Sequence, residues 1–155
     1  RSVETYDIAT TLIELDNGAS GVIALNRSAW GRKGRIFIQL FGSKGTIVFD
    51  QERMNEVQLY TADGAGETQG FRTILTSPHH PPYDKFIPAP GHGLGFNDLK
   101  IVECRELIRR IDGEAAHLIT FDDGIRIERA VDAIARSAHS GVWVDIATGG
   151  DRQAA

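Results

Sequence analysis

Cysteine and methionine are scarce in this sequence. Among its 155 residues, Cys104 is the one cysteine and Met54 the one methionine. A single cysteine excludes an internal disulfide and is typical of a reducing compartment, so we expect a cytoplasmic protein. Because the chain starts at Arg1, with neither an initiator methionine nor an apolar leader before the first strand pattern, we expect a piece of a longer protein.

Long apolar runs and an excess of positive charge are also missing. No apolar run approaches the ~20 residues that a membrane-spanning helix needs. The net charge of -4 lacks the positive field that nucleic acid or an anionic membrane requires. These absences predict a soluble protein with neither partner, in a chain long enough to build its own core.

The first sixty residues contain five segments with strand patterns, over residues 3–15, 21–26, 35–41, 46–50 and 53–60. Asp16-Asn17-Gly18 predicts a tight primed hairpin turn, since such a turn needs positive backbone angles. A second reversal at 41–46 predicts that consecutive strands lie side by side as a meander. Between them, 27–34 carries more charge and bulk than a turn requires, which favours a binding site at one end of the sheet.

The rest of the chain predicts an irregular segment followed by two helices. Residues 61–95 contain all five prolines and several apolar anchors, typical of an ordered flap. Helical periodicity follows over 94–111 and from Asp122 to Ser140, and 142–146 has the pattern of a closing strand. We therefore expect the α+β class: an open, mostly antiparallel sheet with two helices packed on one face, formed by residues 1–147, with a flexible tail over 148–155.

Several motifs resemble chemical sites but fail on context. Gly91-His92-Gly93-Leu94-Gly95-Phe96 lacks both the last glycine and the preceding strand of a dinucleotide-binding loop. Four potential metal ligands in the flap, His79, His80, Asp84 and His92, lack the spacing that presets ligand geometry, so we predict no metal site. Cys104 lies within a helical pattern, where it is expected to fill the core.

The remaining candidates for a binding site are Trp30, Arg32, Arg72 and His92. Guanidinium and imidazole groups beside an aromatic plate would suit a small polyhydroxylated ligand, which needs fixed hydrogen-bonding groups and a flat apolar wall. The alternative is that the two arginines pair with surface acids and Trp30 plugs the end of the sheet. The residues alone leave both interpretations open.

A series of segments, taken together, resembles the C-terminal domain of the Gfo/Idh/MocA oxidoreductases, from about Thr5 to Ile146. The segments, in order, are DIATTLIELDNGASGVIALNRSAWGRK, LFGSKGTIVFDQERMNEVQLY, GFRTIL, HPPY, PGHGLGF and FDDGIRIERAVDAIARSAHSGVWVDI. The resemblance implies a two-domain enzyme in which an N-terminal Rossmann domain binds NAD or NADP, and the usual substrates are sugars, inositols and related polyols. The sheet would carry part of the substrate site and the subunit contact of a homodimer or homotetramer.

The same resemblance implies that cofactor-binding and catalytic residues precede Arg1, so none is assigned to this chain and the fragment alone should be inactive. What it places near the substrate is Arg32, Arg72 and His92. Two alternatives stay open: a non-catalytic dimerisation or binding module with the same sheet, and, more remotely, a metal-dependent hydrolase.

Overall fold

A computed structural model describes residues 5–146. The chain forms two compact units, one from Arg1–Ala29 with His117–Ala155 and the other from Trp30–Ala116. The tail expected over 148–155 lies outside the described residues, as does the beginning of the first expected strand.

The first unit contains a hairpin of β1 (Ile8–Glu14) and β2 (Ser20–Asn26). Its turn is not the two-residue primed turn that the sequence suggested, because Asn17 does not have a positive φ and only Gly18 does, at 82°. Instead the Leu15 amide donates to the Ala19 carbonyl and the Gly18 amide to the Leu15 carbonyl, both at 2.8 Å. One left-handed residue is enough for such a three-residue loop.

The helix of this unit begins one residue before the expected aspartates. This helix, the second in the chain and called α2, runs over Phe121–Ser140. Thr120 caps its start by accepting the Asp123 amide, while the Asp123 carboxylate accepts from the Thr120 amide and hydroxyl at 2.9 and 2.7 Å. This reciprocal capping holds the pKa of Asp123 below its ordinary value, chiefly through the hydrogen bond from the Thr120 amide. Gly141 ends the helix in the left-handed conformation.

The second unit is built on a four-stranded antiparallel sheet. Its strands are β3 (Phe37–Gly42), β4 (Gly45–Asp50), β5 (Glu56–Thr61) and β6 (Arg72–Leu75), paired in chain order. The meander prediction therefore holds from β3 onward but is wrong between β2 and β3, which belong to different sheets. The ten residues between β2 and β3 form turns, and no ladder of hydrogen bonds pairs these two strands.

The two faces of this sheet differ in polarity. Residues directly opposite each other share a face. The register gives one face that we call the apolar face, composed of Ile38, Leu40, Ile47, Phe49, Val57, Leu59 and Ile74, with Arg72 on the same face opposite Leu59. The other, which we call the polar face, mixes the polar Gln39, Asp50, Glu56, Gln58 and Thr73 with the apolar Phe37, Phe41, Val48 and Leu75. On the apolar face Ile38, Leu40 and Ile47 are exposed, whereas Phe49, Val57, Leu59 and Ile74 are half-buried, so the part of this face nearest β3 is left open in the chain.

The flap is more regular than the sequence suggested. It contributes β6 to the sheet and includes two short 3-10 turns, at Gly66–Thr68 and Tyr83–Lys85. Of its expected apolar anchors, Ile87 is 2% exposed, while Phe71 and Leu75 are exposed. The strand was missed because its four residues are flanked by glycine- and proline-rich segments that dominate the local pattern.

The helix of the second unit, α1 (Phe96–Ile111), turns a different face inward than its periodicity predicted. Ile101, Ile108 and Ile111 are exposed, and so is Cys104, which corrects its expected role as a core filler. The buried residue is Glu106, whose carboxylate accepts from Arg105 and Arg109. A buried carboxylate is tolerated where arginines pair with it.

The α+β class with open antiparallel sheets is confirmed. The closing strand at 142–146 is wrong, because these residues carry no strand in the structure. Three apolar side chains are buried among the described residues, those of Ile87, Leu94 and Ala133, so the expectation of a substantial independent core is also wrong. Across residues 5–146, the helices are too short or too polar to span a membrane.

Candidate functional site

One end of the four-stranded sheet gathers the charged loops of the second unit. We call it the loop end: β3 and β5 begin there, and β4 and β6 finish there. The basic segment before β3 is tied to this end by Glu52, which follows β4. The Glu52 carboxylate accepts from Arg32 Nη1 at 3.0 Å and from the Lys33 amide at 2.7 Å. Arg32 is thereby held in place with its side chain still about half exposed.

Asp50 anchors the same segment at a second point. Its carboxylate accepts from Arg35 Nε at 2.9 Å and from the Glu52 amide at 3.1 Å. Partial burial acts to raise the pKa of Asp50, but the Arg35 hydrogen bond, the Glu52 amide and the nearby positive charges outweigh it, and the pKa is lowered. The pKa of Glu52 is also lowered, first by the Lys33 amide and then by Arg32. Both carboxylates are therefore ionised around neutral pH.

Trp30 does not plug the end of the sheet. Its side chain is 99% exposed, although indole is among the largest apolar groups a protein can bury. A fully exposed tryptophan beside an ordered charged loop is available to contact a ligand or another polypeptide.

Arg72 lies away from the loop end. It is the first residue of β6, opposite Leu59, which is in turn opposite Ile47. Ile47 precedes Asp50 by three residues, a distance of roughly 10 Å along a strand. The Arg72 guanidinium donates to the Thr61 hydroxyl at 3.1 Å, farther still from the loop end. The strand register therefore places Arg72 toward the opposite end of the sheet from Arg32.

His92 is attached to the loop end through Leu94. Its Nδ1 lies 3.1 Å from the Ala89 carbonyl, in a turn that Gly91 permits with φ at 85°. Because a carbonyl only accepts, Nδ1 carries the proton in this contact, which does not involve Nε2. In the Nδ1–H tautomer, Nε2 of His92 can accept a hydrogen bond.

The side chain of Asn55 joins the segment of His92 to the sheet, a contact that the sequence did not predict. Its Oδ1 accepts from the Leu94 amide at 2.7 Å and its Nδ2 donates to the Leu94 carbonyl at 2.9 Å. Asn55 immediately precedes β5 at the loop end, so these bonds bring the segment of His92 to the same end as Arg32. No local motif identifies an asparagine whose partners lie 39 residues away.

A hollow of about 240 Å³ opens on the polar face at this end; its lining residues are Phe37, Val48, Asp50, Arg53, Glu56 and Gln58. Its charges are already paired, Asp50 with Arg35 and Arg53 with Glu56. The hollow therefore offers few unsatisfied groups to a ligand.

Neither a metal nor a dinucleotide fits the residues present. Within 5–146, no group of three or more His, Cys, Asp and Glu side chains is placed to hold a metal ion. At the glycine-rich segment before α1, the space above Gly93 is filled by the Asn55 amide, 3.0 Å from where a Cβ would lie. The Gly95 amide is bonded to Asp98 at 2.7 Å. A dinucleotide-binding loop instead keeps such space and such amides free for phosphate.

This chain is similar to known oxidoreductases. Residues 1–146 match the family model described as "Oxidoreductase family, C-terminal alpha/beta domain". Levoglucosan dehydrogenase of Pseudarthrobacter phenanthrenivorans is 35% identical over 144 residues, covering 93% of this chain and 37% of that protein. The chain thus spans little more than a third of this relative's length.

Solved structures give the same result. Levoglucosan dehydrogenase in complex with NADH and levoglucosan matches with a TM-score of 0.89 and 34% identity, over 94% of this chain and 40% of that one. An NAD-binding oxidoreductase from Klebsiella pneumoniae matches with a TM-score of 0.88 and 34% identity, over 96% and 40%. An oxidoreductase domain protein from Kribbella flavida matches with a TM-score of 0.86 and 36% identity, over 94% and 39%.

Proposed function

This chain belongs to the Gfo/Idh/MocA oxidoreductase family, as its C-terminal domain, and we propose that it serves an NAD(P)-dependent enzyme that acts on a sugar, inositol or related polyol. Its part is to bind substrate and to contact other subunits. The observation that carries the proposal is the match of residues 1–146 to this domain. The relatives named as levoglucosan dehydrogenase, one of them in complex with NADH and levoglucosan, support the reaction class.

The loop end supplies groups suited to a polyol. Arg32 uses one nitrogen for Glu52, which leaves the rest of its planar guanidinium to donate to hydroxyl oxygens. His92 offers Nε2 as an acceptor for a hydroxyl proton. A donor and an acceptor on one end of a rigid sheet can orient a polyhydroxylated substrate by complementary hydrogen bonds.

Trp30 and Arg72 complete the proposed binding set with different roles. The exposed indole of Trp30 would cover one side of the bound sugar ring. Arg72, on the edge strand, would reach substrate only from another direction than Arg32, since register places the two apart. Its role is therefore the more peripheral of the two.

Hydride transfer belongs to the nicotinamide cofactor, NAD or NADP, which we place on polypeptide outside this chain. The packed glycines before α1 support this placement, because they leave no cradle for a pyrophosphate. Binding and orientation of substrate are then the contribution of this domain to the reaction.

The open apolar face of the sheet supports the second part of the proposal. Ile38, Leu40 and Ile47 are exposed together on that face. Contiguous apolar surface on a sheet is typical of a contact with other polypeptide. We propose that a second subunit covers it, in a homodimer or homotetramer.

Arg32→Ala in the full-length enzyme tests the substrate role. Loss of a charged hydrogen bond to substrate should lower kcat/KM roughly 10- to 100-fold, mostly through KM if the contact is made equally in the ground state. Lys33→Ala is the matched control: it removes a positive charge from the same segment but keeps the backbone bond to Glu52. It should change kcat/KM less than about twofold.

The substrate for this assay comes from a thermal-shift screen of polyols against the full-length protein with cofactor, since a bound ligand raises the melting temperature. If Arg32→Ala and Lys33→Ala lower kcat/KM by the same factor, Arg32 contributes its positive charge and not a specific hydrogen bond to substrate. If no polyol raises the melting temperature and none reduces the cofactor, the non-catalytic binding module becomes the better interpretation.

A further inference from the structure

Asn55 connects three separate parts of the second unit. Its side chain pairs with the backbone of Leu94, just before α1, as described above. Its backbone carbonyl accepts from the amide of Thr76, just after β6, at 2.8 Å, and from the Thr76 hydroxyl at 3.1 Å. The residue itself ends the turn that leads into β5. One side chain therefore fixes the segment before α1 to the end of the sheet.

The paired bonds to Leu94 fix orientation as well as position. An amide that donates to a peptide carbonyl and accepts from the same residue's amide mimics one rung of a β-ladder, and two bonds prevent rotation about either. Leu94 is only 7% exposed, so its polar groups have little access to water if Asn55 is lost. Gly93 packs directly on the Asn55 amide, at 3.0 Å from a would-be Cβ, and a side chain there would disturb the pairing.

We infer that Asn55 is a positioning residue for His92, an inference that rests on the substrate role proposed above for that histidine. His92 lies two residues before Leu94, within about 7 Å along the chain. Its own turn is closed by contacts to the Ala89 carbonyl, and only Gly93 separates this turn from Leu94 in the chain. Asn55 thereby sets where His92 Nε2 lies relative to the Arg32 guanidinium at the loop end.

A double-mutant cycle in the full-length enzyme tests the inference, with kcat/KM measured for wild type, Asn55→Ala, His92→Ala and the double variant. If Asn55 acts through His92, Asn55→Ala should lower kcat/KM roughly tenfold in the wild-type background but less than about twofold when His92 is already alanine. A purely structural role would lower both backgrounds by the same factor. Asn55→Asp keeps the acceptor for the Leu94 amide but loses the donor, and should fall between wild type and alanine.

Two further variants keep the test decisive. Gly93→Ala disturbs the same pairing from its other side and replaces Asn55→Ala in the cycle if that variant does not fold. Thr76→Val removes a hydroxyl that lies 3.1 Å from the backbone carbonyl and 3.2 Å from the Oδ1 of Asn55, and it takes away neither partner of the Leu94 pairing. It should lower the melting temperature with kcat/KM unchanged within about twofold.

A spectroscopic readout is independent of turnover. In full-length protein labelled with nitrogen-15 histidine, long-range proton–nitrogen spectra should show the Nδ1–H tautomer of His92, and Asn55→Ala should shift the Nε2 resonance because the turn moves relative to the loop end. If His92→Ala has wild-type kcat/KM, the substrate role of His92 is wrong, and the inference falls with it. If His92→Ala is impaired but Asn55→Ala is additive with it, the inference alone is overturned and the proposed function stands.

Discussion

Gly45→Ala should destabilise the four-stranded sheet severely. Gly45 opens β4, and a Cβ at this position would lie 2.3 Å from the Tyr60 carbonyl oxygen of β5. Ordinary contacts begin near 3.4 Å, so the two strands must separate by about 1 Å. The obstacle is backbone, which cannot rotate away as a side-chain end can.

The cost follows from the adjacent ladder. The Ala62 amide donates to the Lys44 carbonyl at 2.9 Å, next to the point of contact, and a separation of about 1 Å would break this bond. Losing it costs roughly 1 kcal/mol, and the overpacking adds about 1–3 kcal/mol. With about 3 kcal/mol in all, the melting temperature should fall by roughly 6–12 °C for a domain of this size.

Gly42→Ala is the matched control, on the other side of the same turn. Its Cβ would meet the Gly45 carbonyl oxygen at 3.5 Å, an ordinary contact, so the change in stability should stay within about 1 kcal/mol. Both variants are compared with wild type by thermal unfolding of the full-length protein, and hydrogen exchange over residues 45–61 localises the effect. Equal stability of the two variants would refute the close approach of β4 and β5 at Gly45.

Two further predictions concern charge and assembly. Because the folded-state pKa values of Asp50 and Glu52 are lowered, their ionisation stabilises the fold above about pH 4, and this contribution is lost as pH falls through those lowered values. The stability difference between wild type and a D50N/E52Q variant, measured by denaturant titration at several pH values, should therefore vanish at low pH. Leu40→Glu places a charge on the exposed apolar face and should dissociate the proposed subunit contact in sedimentation velocity, whereas Gln39→Glu, on the polar face, should not.

Each of these two has a result that contradicts it. A D50N/E52Q difference that persists unchanged into the acid range would mean that the two carboxylates do not stabilise the fold by their charge. Dissociation by Gln39→Glu to the same extent as by Leu40→Glu would show that the apolar face is not the contact surface.

The strands and helices were predictable where their signal is local. The alternation in β5 and the aspartates at the start of α2 depend on neighbours within a few residues. The short strand β6 and the absence of a strand at 142–146 were not predictable in this way, because partners elsewhere in the chain decide whether an extended segment pairs.

The face of α1 was mispredicted for a related reason. Periodicity identifies an apolar stripe through Ile101 and Ile108, but it does not say what covers that stripe. In the structure the helix turns Glu106 inward, where its carboxylate pairs with Arg105 and Arg109 of the same helix.

The positions of the candidate site residues were also predictable only in part. The sequence predicted a charged segment with Arg32 and a flap with His92, but it put Arg32 and Arg72 together in one binding site. The alternative that arginines pair with acids describes Arg32, bonded to Glu52, but not Arg72, which bonds to a hydroxyl. The contact of Glu52 with the basic segment had a local sign in the sequence, because acidic residues follow β4 as closely in the chain as basic residues precede β3.

By itself, the sequence determined the α+β class and which segments could form strands or helices, because side-chain period and turn chemistry act over a few residues. The family was indicated by the resemblance of a series of segments in their order along the chain. Only the tertiary structure decided that Arg32 and His92 belong to one end of the sheet and Arg72 lies farther along it. Strand register fixes those positions, and it depends on pairings between residues far apart in the chain. The bonds between Asn55 and Leu94 are of the same kind, since neither residue carries a local sign of the other.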